Sequence, residues 1–173
     1  TYPDSWYAAT CEPLAPCQAL MGDQRTDICV IGAGFTGLST ALHLAKAGHS
    51  VIVLDAQRIG FGASGRNGGQ LGSGQRLDQR DLQKMVGAEY AQLLWELAEE
   101  SKATVLSLIK EHGIDCALKP GIAHFGFHEK EMRDIHEEVE FLAMTYGYSQ
   151  YHPLSKEQGE TICPSPVYHG GAI

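Results

Sequence analysis

Basic side chains are scarce. Thirteen Lys and Arg stand against 21 Asp and Glu, a formal net charge of −8, and no basic stripe interrupts the acidic background. Such a surface repels polyphosphate chains and anionic headgroups, so neither nucleic acid nor an anionic membrane is expected as a partner. Long hydrophobic runs are also lacking. No apolar stretch approaches the roughly 20 residues of a membrane-spanning helix, and the first residues lack the basic-then-apolar pattern of a secretory leader. The expectation is a cytoplasmic protein with no membrane span. A disulfide framework is missing too: the cysteines, Cys11, Cys17, Cys29, Cys116 and Cys163, are odd in number and scattered, and read as free thiols. There is no G-x-S-x-G nucleophile motif, no internal repeat and no low-complexity tract. His124 and His128 share a candidate strand face, but no Cys, Asp or Glu cluster at ligand spacing accompanies them, so no metal is expected. The acids on the helices have no spacing that pairs an acid with a base, and no catalytic residue is named.

Glycine is what the chain does have, 20 residues of it, and it is concentrated where it can do chemistry. Ile28 to Ile31 is a short run rich in β-branched residues, which predicts a parallel strand buried on both faces. Gly32, Gly34 and Gly37 follow at G-x-G-x-x-G spacing, with Ala33, Phe35 and Thr36 between them. The first glycine serves a tight turn, the second lets backbone approach a pyrophosphate, and the third lets the next helix pack close to the strand. That helix presents its unpaired N–H groups and positive dipole end to the phosphates. Leu38, Ala41, Leu42 and Ala45 give it one apolar face, and Gly48 is placed to end it. Val51 to Leu54 is the second strand. It finishes on Asp55, 18 positions past Gly37, near the distance at which a carboxylate reaches the ribose hydroxyls of an adenosine half. A carboxylate there would repel a 2′-phosphate, which argues against NADP and leaves FAD and NAD.

A second glycine-rich loop separates those two. Gly60-Phe61-Gly62-Ala63-Ser64-Gly65-Arg66-Asn67-Gly68-Gly69-Gln70 can form an anion nest from successive N–H groups, with Arg66 supplying fixed charge. A flavin cofactor must be held along its length, so a second phosphate-facing loop is physically sensible for FAD. The motif G-A-S-G-R-N-G-G-Q after the acidic strand end, together with the N-terminal S-W-Y-A-A-T, resembles the FAD-dependent amine and amino-acid oxidases of the D-amino-acid-oxidase superfamily. The resemblance implies a cofactor of FAD and a small amine or amino-acid substrate oxidised at its C–N bond by hydride transfer to flavin. It implies cofactor contacts at Gly32, Ala33, Gly34, Phe35, Thr36, Gly37, Asp55, Ala56, Gln57, Gly62, Ala63, Ser64, Arg66, Asn67, Gly68 and Gly69. Two other readings stay open: a non-catalytic dinucleotide-binding module or subunit, and an NAD-dependent dehydrogenase.

The expected fold class is α/β, a Rossmann-like FAD-binding βαβ region followed by the start of an α+β substrate-domain region. Residues 1–26 read as an extended arm anchored by Trp6 and Tyr7, for which packing is favoured over a place near the flavin. Residues 27–75 read as the FAD-binding βαβ region, and 76–173 as a helical and strand region incomplete at its C-terminus. Within the latter, Leu82, Met85 and Val86 make a short helical face. Tyr90, Leu93, Leu94, Leu97, Val105, Leu108 and Ile109 form the apolar side of a long helix closed by Gly113, whose Glu96, Glu99 and Glu100 read as a solvated face. Strands are expected over Ile114 to Leu118 and Gly121 to His128. A helix is expected over Glu129 to Tyr146, with Met132, Ile135, Val139, Leu142 and Ala143 buried, and a short helix N-capped by Ser155. The chain starts without Met and stops as a new strand begins, which reads as the N-terminal piece of a longer protein, with a missing C-terminal segment or a partner subunit.

Overall fold

The computed structural model describes residues 4–12 and 14–173, so residues 1–3 and 13 of the expected arm lie outside the described residues. The chain divides into two compact units, residues 1–69 and 70–173.

In the first unit, α1 (Trp6–Thr10) precedes β1 (Ile28–Ile31), α2 (Phe35–Lys46) and β2 (Val51–Leu54), and a 3-10 turn follows at Ala63–Gly65. The strands pair in parallel, Ile28 opposite Val51 through Ile31 opposite Leu54. Their starting ends are clasped by Asp27, whose carboxylate accepts from the Ser50 N–H and hydroxyl, both at 2.8 Å. That bonding, the backbone contact first, holds the Asp27 carboxyl below its ordinary range. Helix α2 packs on one face of the pair only. Ile28 and Val30 are therefore half-buried, while Cys29 and Ile31 are exposed, Ile31 by 78%. This corrects the expectation of a strand buried on both faces: an apolar strand sequence reports what it can bury, and among the described residues one helix alone covers it. The arm is corrected as well. Ser5 accepts from the Ala8 N–H and N-caps a helix where extended chain was expected, and Trp6, expected to anchor by packing, is 76% exposed.

The second unit joins α3 (Gln79–Val86), α4 (Ala88–His112), α5 (Glu129–Tyr146) and α6 (Lys156–Ile162) to a small antiparallel sheet. The sheet has the order β3 (His124–Phe125), β5 (Gly171–Ala172), β4 (Pro153–Leu154). Ile135 and Val139 of α5 pack with Ala172 in its core. Gly113 and Gly147 end α4 and α5 in the left-handed conformation, and Ser155 forms a capping box with Gln158 at the start of α6. Helix α4 buries Ala91, Trp95 and Ala98, whereas Tyr90, Leu93 and Leu97 are exposed. The small Ala91 and Ala98 suit close packing against α3, and Trp95 lies against the rings of Tyr146 and Tyr148, with centroids 5.3 and 5.2 Å away. The strand expected over Ile114 to Leu118 does not form. Among the described residues no strand lies beside it to accept its hydrogen bonds, and both end residues are exposed. The strand expected over Gly121 to His128 shortens to two residues as the chain turns through Gly126, which pairs instead with His169 and Gly170. Among the described residues no group of His, Cys, Asp and Glu could hold a metal, and no helix is long and apolar enough to cross a membrane.

One ion cluster in this unit titrates. Arg80 Nε lies 2.8 Å from Glu138 and 3.6 Å from Asp78, and its Nη1 lies 3.3 Å from Glu137. Burial first, and the nearby Asp78 carboxylate second, push the Glu138 carboxyl up to about 7, against the downward pull of Arg80 and of the Gln79 N–H. Tyr151, itself pushed up by burial, faces the same carboxylates. A carboxyl raised in the folded state contributes stability that is fully present below its ordinary value of 4.5 and is lost as pH rises through about 7. Glu138→Gln mimics the neutral form. Its melting temperature should therefore gain on the parent's by a few degrees between pH 5 and 8, and the difference between the two isolates this site from other titrating groups. A difference that stays constant with pH would return Glu138 to the ordinary carboxylates.

Candidate cofactor site

The end of β1 delivers the chain into a turn that requires Gly32: its φ is +101°, and its N–H donates to the Leu54 carbonyl at 2.7 Å. Gly34 is the N-cap of α2. A side chain there would meet only Ser64, whose Oγ lies 2.8 Å from an added Cβ. At Gly37 an added Cβ would collide with the Gly32 carbonyl oxygen, so helix and turn touch backbone to backbone. Gly32 thus serves the turn and Gly37 the close packing, while the bare backbone of Gly34 makes room for Ser64. Thr36 and Gly37, in the first turn of α2, have N–H groups with no intrahelical acceptor.

Asp55 sits where β2 ends, and both of its oxygens are in use. Oδ2 accepts from the Ala33 N–H and Oδ1 from the Gln57 N–H, each at 2.7 Å. These two bonds, Ala33 first, hold the carboxyl below its ordinary range. Each oxygen keeps a further lone pair, and the side chain is exposed, so a ribose hydroxyl can still be accepted. Asp55 therefore ties the first glycine loop to the second strand as well as offering an acceptor. Asp55→Ala should weaken FAD binding by about tenfold to a hundredfold, the range for a lost hydrogen bond to a charged group, while the fold persists. Fluorescence titration with FAD measures it, and an unchanged affinity would remove Asp55 from the site.

The second loop closes onto the first. Gly60 N–H donates to the Ala33 carbonyl at 2.9 Å. Ser64 Oγ accepts the Phe35 N–H at 2.9 Å, taking one of the open donors of α2 from 29 positions away. Asn67 holds the loop to itself: its amide donates to the carbonyls of Ala63 and Ser64 at 3.2 and 3.0 Å, and accepts from Gly69 N–H at 2.9 Å. Arg66 Nε donates to the Gly62 carbonyl at 3.3 Å, and its side chain is exposed. Added Cβ atoms at Gly62 and Gly69 would meet nothing within 4 Å, whereas one at Gly65 would collide with the Gly60 carbonyl.

A cavity of about 360 Å³ opens at this junction and gathers Phe35, Ser64, Arg66 and Asn67 of the expected site residues. Ala33, Asp55 and Gln57 form a second cluster through the Asp55 bonds. Gly32, Gly34, Thr36, Gly37, Ala56, Gly62, Ala63, Gly68 and Gly69 do not line the cavity. Gly65, which the backbone contact with Gly60 makes as restricted as Gly37, is not among the expected site residues, nor are Thr10 of α1 and its C-cap Cys11; Tyr7, expected to anchor the arm by packing rather than to lie near the flavin, lines the cavity with them. Ser5 followed by an alanine-rich stretch was the available sign of that helix. The donor set fits a dinucleotide: a helix N-terminus, a guanidinium, hydroxyls and bare glycine backbone stand together, and the positions of Gly62 and Gly69 are open to a ligand.

A family model described as FAD dependent oxidoreductase, DAO, matches residues 27–173. The chain is 38% identical over 167 residues to a probable oxidoreductase OrdL of Rhizobium meliloti (strain 1021), covering 96% of this chain and 39% of that protein. It is 42% identical over 136 residues to gamma-glutamylputrescine oxidoreductase of Escherichia coli (strain K12), covering 79% and 32%. A shorter match, 48% identical over 48 residues, joins it to D-amino acid dehydrogenase of Xanthobacter autotrophicus, covering 27% and 11%. No solved structure matches. The chain thus spans well under half the length of these curated relatives. These matches bear out the resemblance to the D-amino-acid-oxidase superfamily carried by the two glycine loops, with γ-glutamylputrescine oxidase among the similar proteins.

Proposed function

Since the chain belongs to the DAO family of FAD-dependent oxidoreductases, we propose that it forms the FAD-binding N-terminal part of an enzyme that oxidises the C–N bond of a small amine or amino acid. When bound, flavin supplies the acceptor for the hydride. The residues of this chain bind and orient: the first turn of α2 and Arg66 hold the pyrophosphate, Asp55 takes the ribose hydroxyls, and the second glycine loop carries backbone toward the ring. The observation that supports this most is the joining of the two loops, Ser64 on the Phe35 N–H and Gly60 on the Ala33 carbonyl. It makes one continuous anion-facing surface, of the kind a long cofactor needs.

The substrate site belongs, in this reading, to residues beyond these, in the same longer protein or in a partner subunit. The free state of all five cysteines supports a reducing, cytoplasmic setting. In the same reading residues 27–75 form the FAD-binding region and 76–173 begin the substrate-domain region. The likeness to gamma-glutamylputrescine oxidoreductase makes γ-glutamylated diamines the first substrates to try. The test is anaerobic mixing of the purified yellow protein with γ-glutamylputrescine, followed by oxygen. Bleaching of the flavin band and its return support an amine oxidase. Bound colour that no amine or amino acid bleaches supports a binding module without catalysis, and release of nicotinamide cofactor on denaturation supports an NAD-dependent dehydrogenase.

A further inference from the structure

Helix α1 is a five-residue helix that buries none of its own residues. A helix this short is marginal in water, and of its residues Ala8 alone is half-buried. Yet it forms one side of the 360 Å³ cavity, facing Phe35 at the start of α2 and the loop residues Ser64 and Arg66 across it. Tyr7 and Thr10, three apart on the helix, line that side together with Ser5, Ala8 and the C-cap Cys11. Trp6 is not among the residues that line it and is 76% exposed. The wall therefore brings a phenol and a threonine hydroxyl to a cavity whose other walls carry a guanidinium, a serine hydroxyl and the positive end of α2. A ligand with both phosphate oxygens and flat rings suits that combination of donors and aromatic surface.

We infer that α1 is a wall of the cofactor site and that Tyr7 and Thr10 contact the bound flavin dinucleotide. This inference rests on the FAD reading above. It assigns the N-terminal segment a binding task that the glycine motifs do not contain. The phenol O–H of Tyr7 donates to the cofactor and its ring covers part of it. Thr10, whose hydroxyl donates to the Trp6 carbonyl at 2.8 Å, keeps lone pairs to accept from a cofactor hydroxyl.

Cys11 provides the probe, because it lines the cavity whereas the equally exposed Cys17 and Cys116 do not. The FAD-loaded and FAD-stripped proteins are alkylated with N-ethylmaleimide and each cysteine is followed by mass spectrometry. Loading should slow labelling of Cys11 by about tenfold, since access limits thiol reactivity, and leave Cys17 and Cys116 unchanged. Tyr7→Ala should raise the FAD dissociation constant by about fivefold, the worth of one hydrogen bond, with Tyr7→Phe between it and the parent. Both changes should leave the far-UV circular dichroism as it is. Equal labelling of Cys11 in the two forms, with flavin demonstrably bound, overturns the inference and leaves the FAD reading standing. Protein that retains no FAD at all overturns both.

Discussion

Gly37→Val should cost the first unit its fold and its flavin together. An added Cβ at this position collides with the carbonyl oxygen of Gly32 and lies 3.0 Å from its carbonyl carbon and 3.4 Å from Val30 Cγ1. Side-chain neighbours can rotate away, but a carbonyl can move only with its chain. That chain is held: Gly32 donates to Leu54 at 2.7 Å and has a φ of +101°, and Ala33 is fixed by Asp55 at 2.7 Å. Relief therefore requires α2 to lift off β1 or the turn to leave β2. Overpacking costs about 1–3 kcal/mol where side chains can adjust and more where they cannot, and a small βα unit has little reserve. Thermal unfolding by circular dichroism and flavin content after gel filtration measure the two losses. A variant with the parent's melting temperature would mean that α2 does not pack at this turn.

The parts of this fold that are legible in the sequence are those whose signals are local. Ile28 to Leu54 carries strand, turn, helix and strand in an order that each neighbour reinforces, and α5 is bounded by its own periodic stripe and by Gly147. The buried side of α4 is different. Tyr90, Leu93 and Leu97 recur at helical spacing, but so do Ala91, Trp95 and Ala98, and periodicity cannot rank two apolar faces. Packing with α3, and the tyrosine rings around Trp95, select the second. Ile114 to Leu118 has the composition of a strand but no partner, and pairing is not a property of one segment. The openness of Cys29 and Ile31 has the same origin, because a strand's residues do not say what arrives to cover them. In the candidate site, Gly32, Gly34, Gly37 and Asp55 follow from spacing alone. The bond from Phe35 to Ser64 spans 29 positions and leaves no trace in either segment by itself, and the placement of Tyr7 beside the second loop depends on a return of the chain that no local pattern records.

Gly34→Val should instead remove flavin and spare the fold. Gly34 has φ −90° and ψ −173°, a conformation any residue can adopt, so no backbone strain follows. The only atoms within 4 Å of an added Cβ belong to Ser64, with Oγ at 2.8 Å and Cβ at 3.7 Å. Ser64 must then turn away and release the Phe35 N–H, a loss of about 1 kcal/mol comparable to that of a helix cap. The melting temperature should fall by only a few degrees. In the proposed site the cofactor has no such escape, because the valine methyl groups would occupy the place where bare backbone is to admit the pyrophosphate. Flavin content should drop to roughly a tenth of the parent's or less, a loss equivalent to about 1.4 kcal/mol of binding or more. Two causes could produce that drop: the filled approach itself, or the displaced Ser64. Combining Gly34→Ala with Ser64→Ala separates them, since it removes the hydroxyl that crowds the new Cβ and leaves the Cβ in place. If the approach is what matters, the double variant stays poor in flavin, and Ser64→Ala alone loses far less. Recovery of flavin in the double variant would move the effect from Gly34 to Ser64, and a Gly34→Val protein as yellow as its parent would place the pyrophosphate elsewhere.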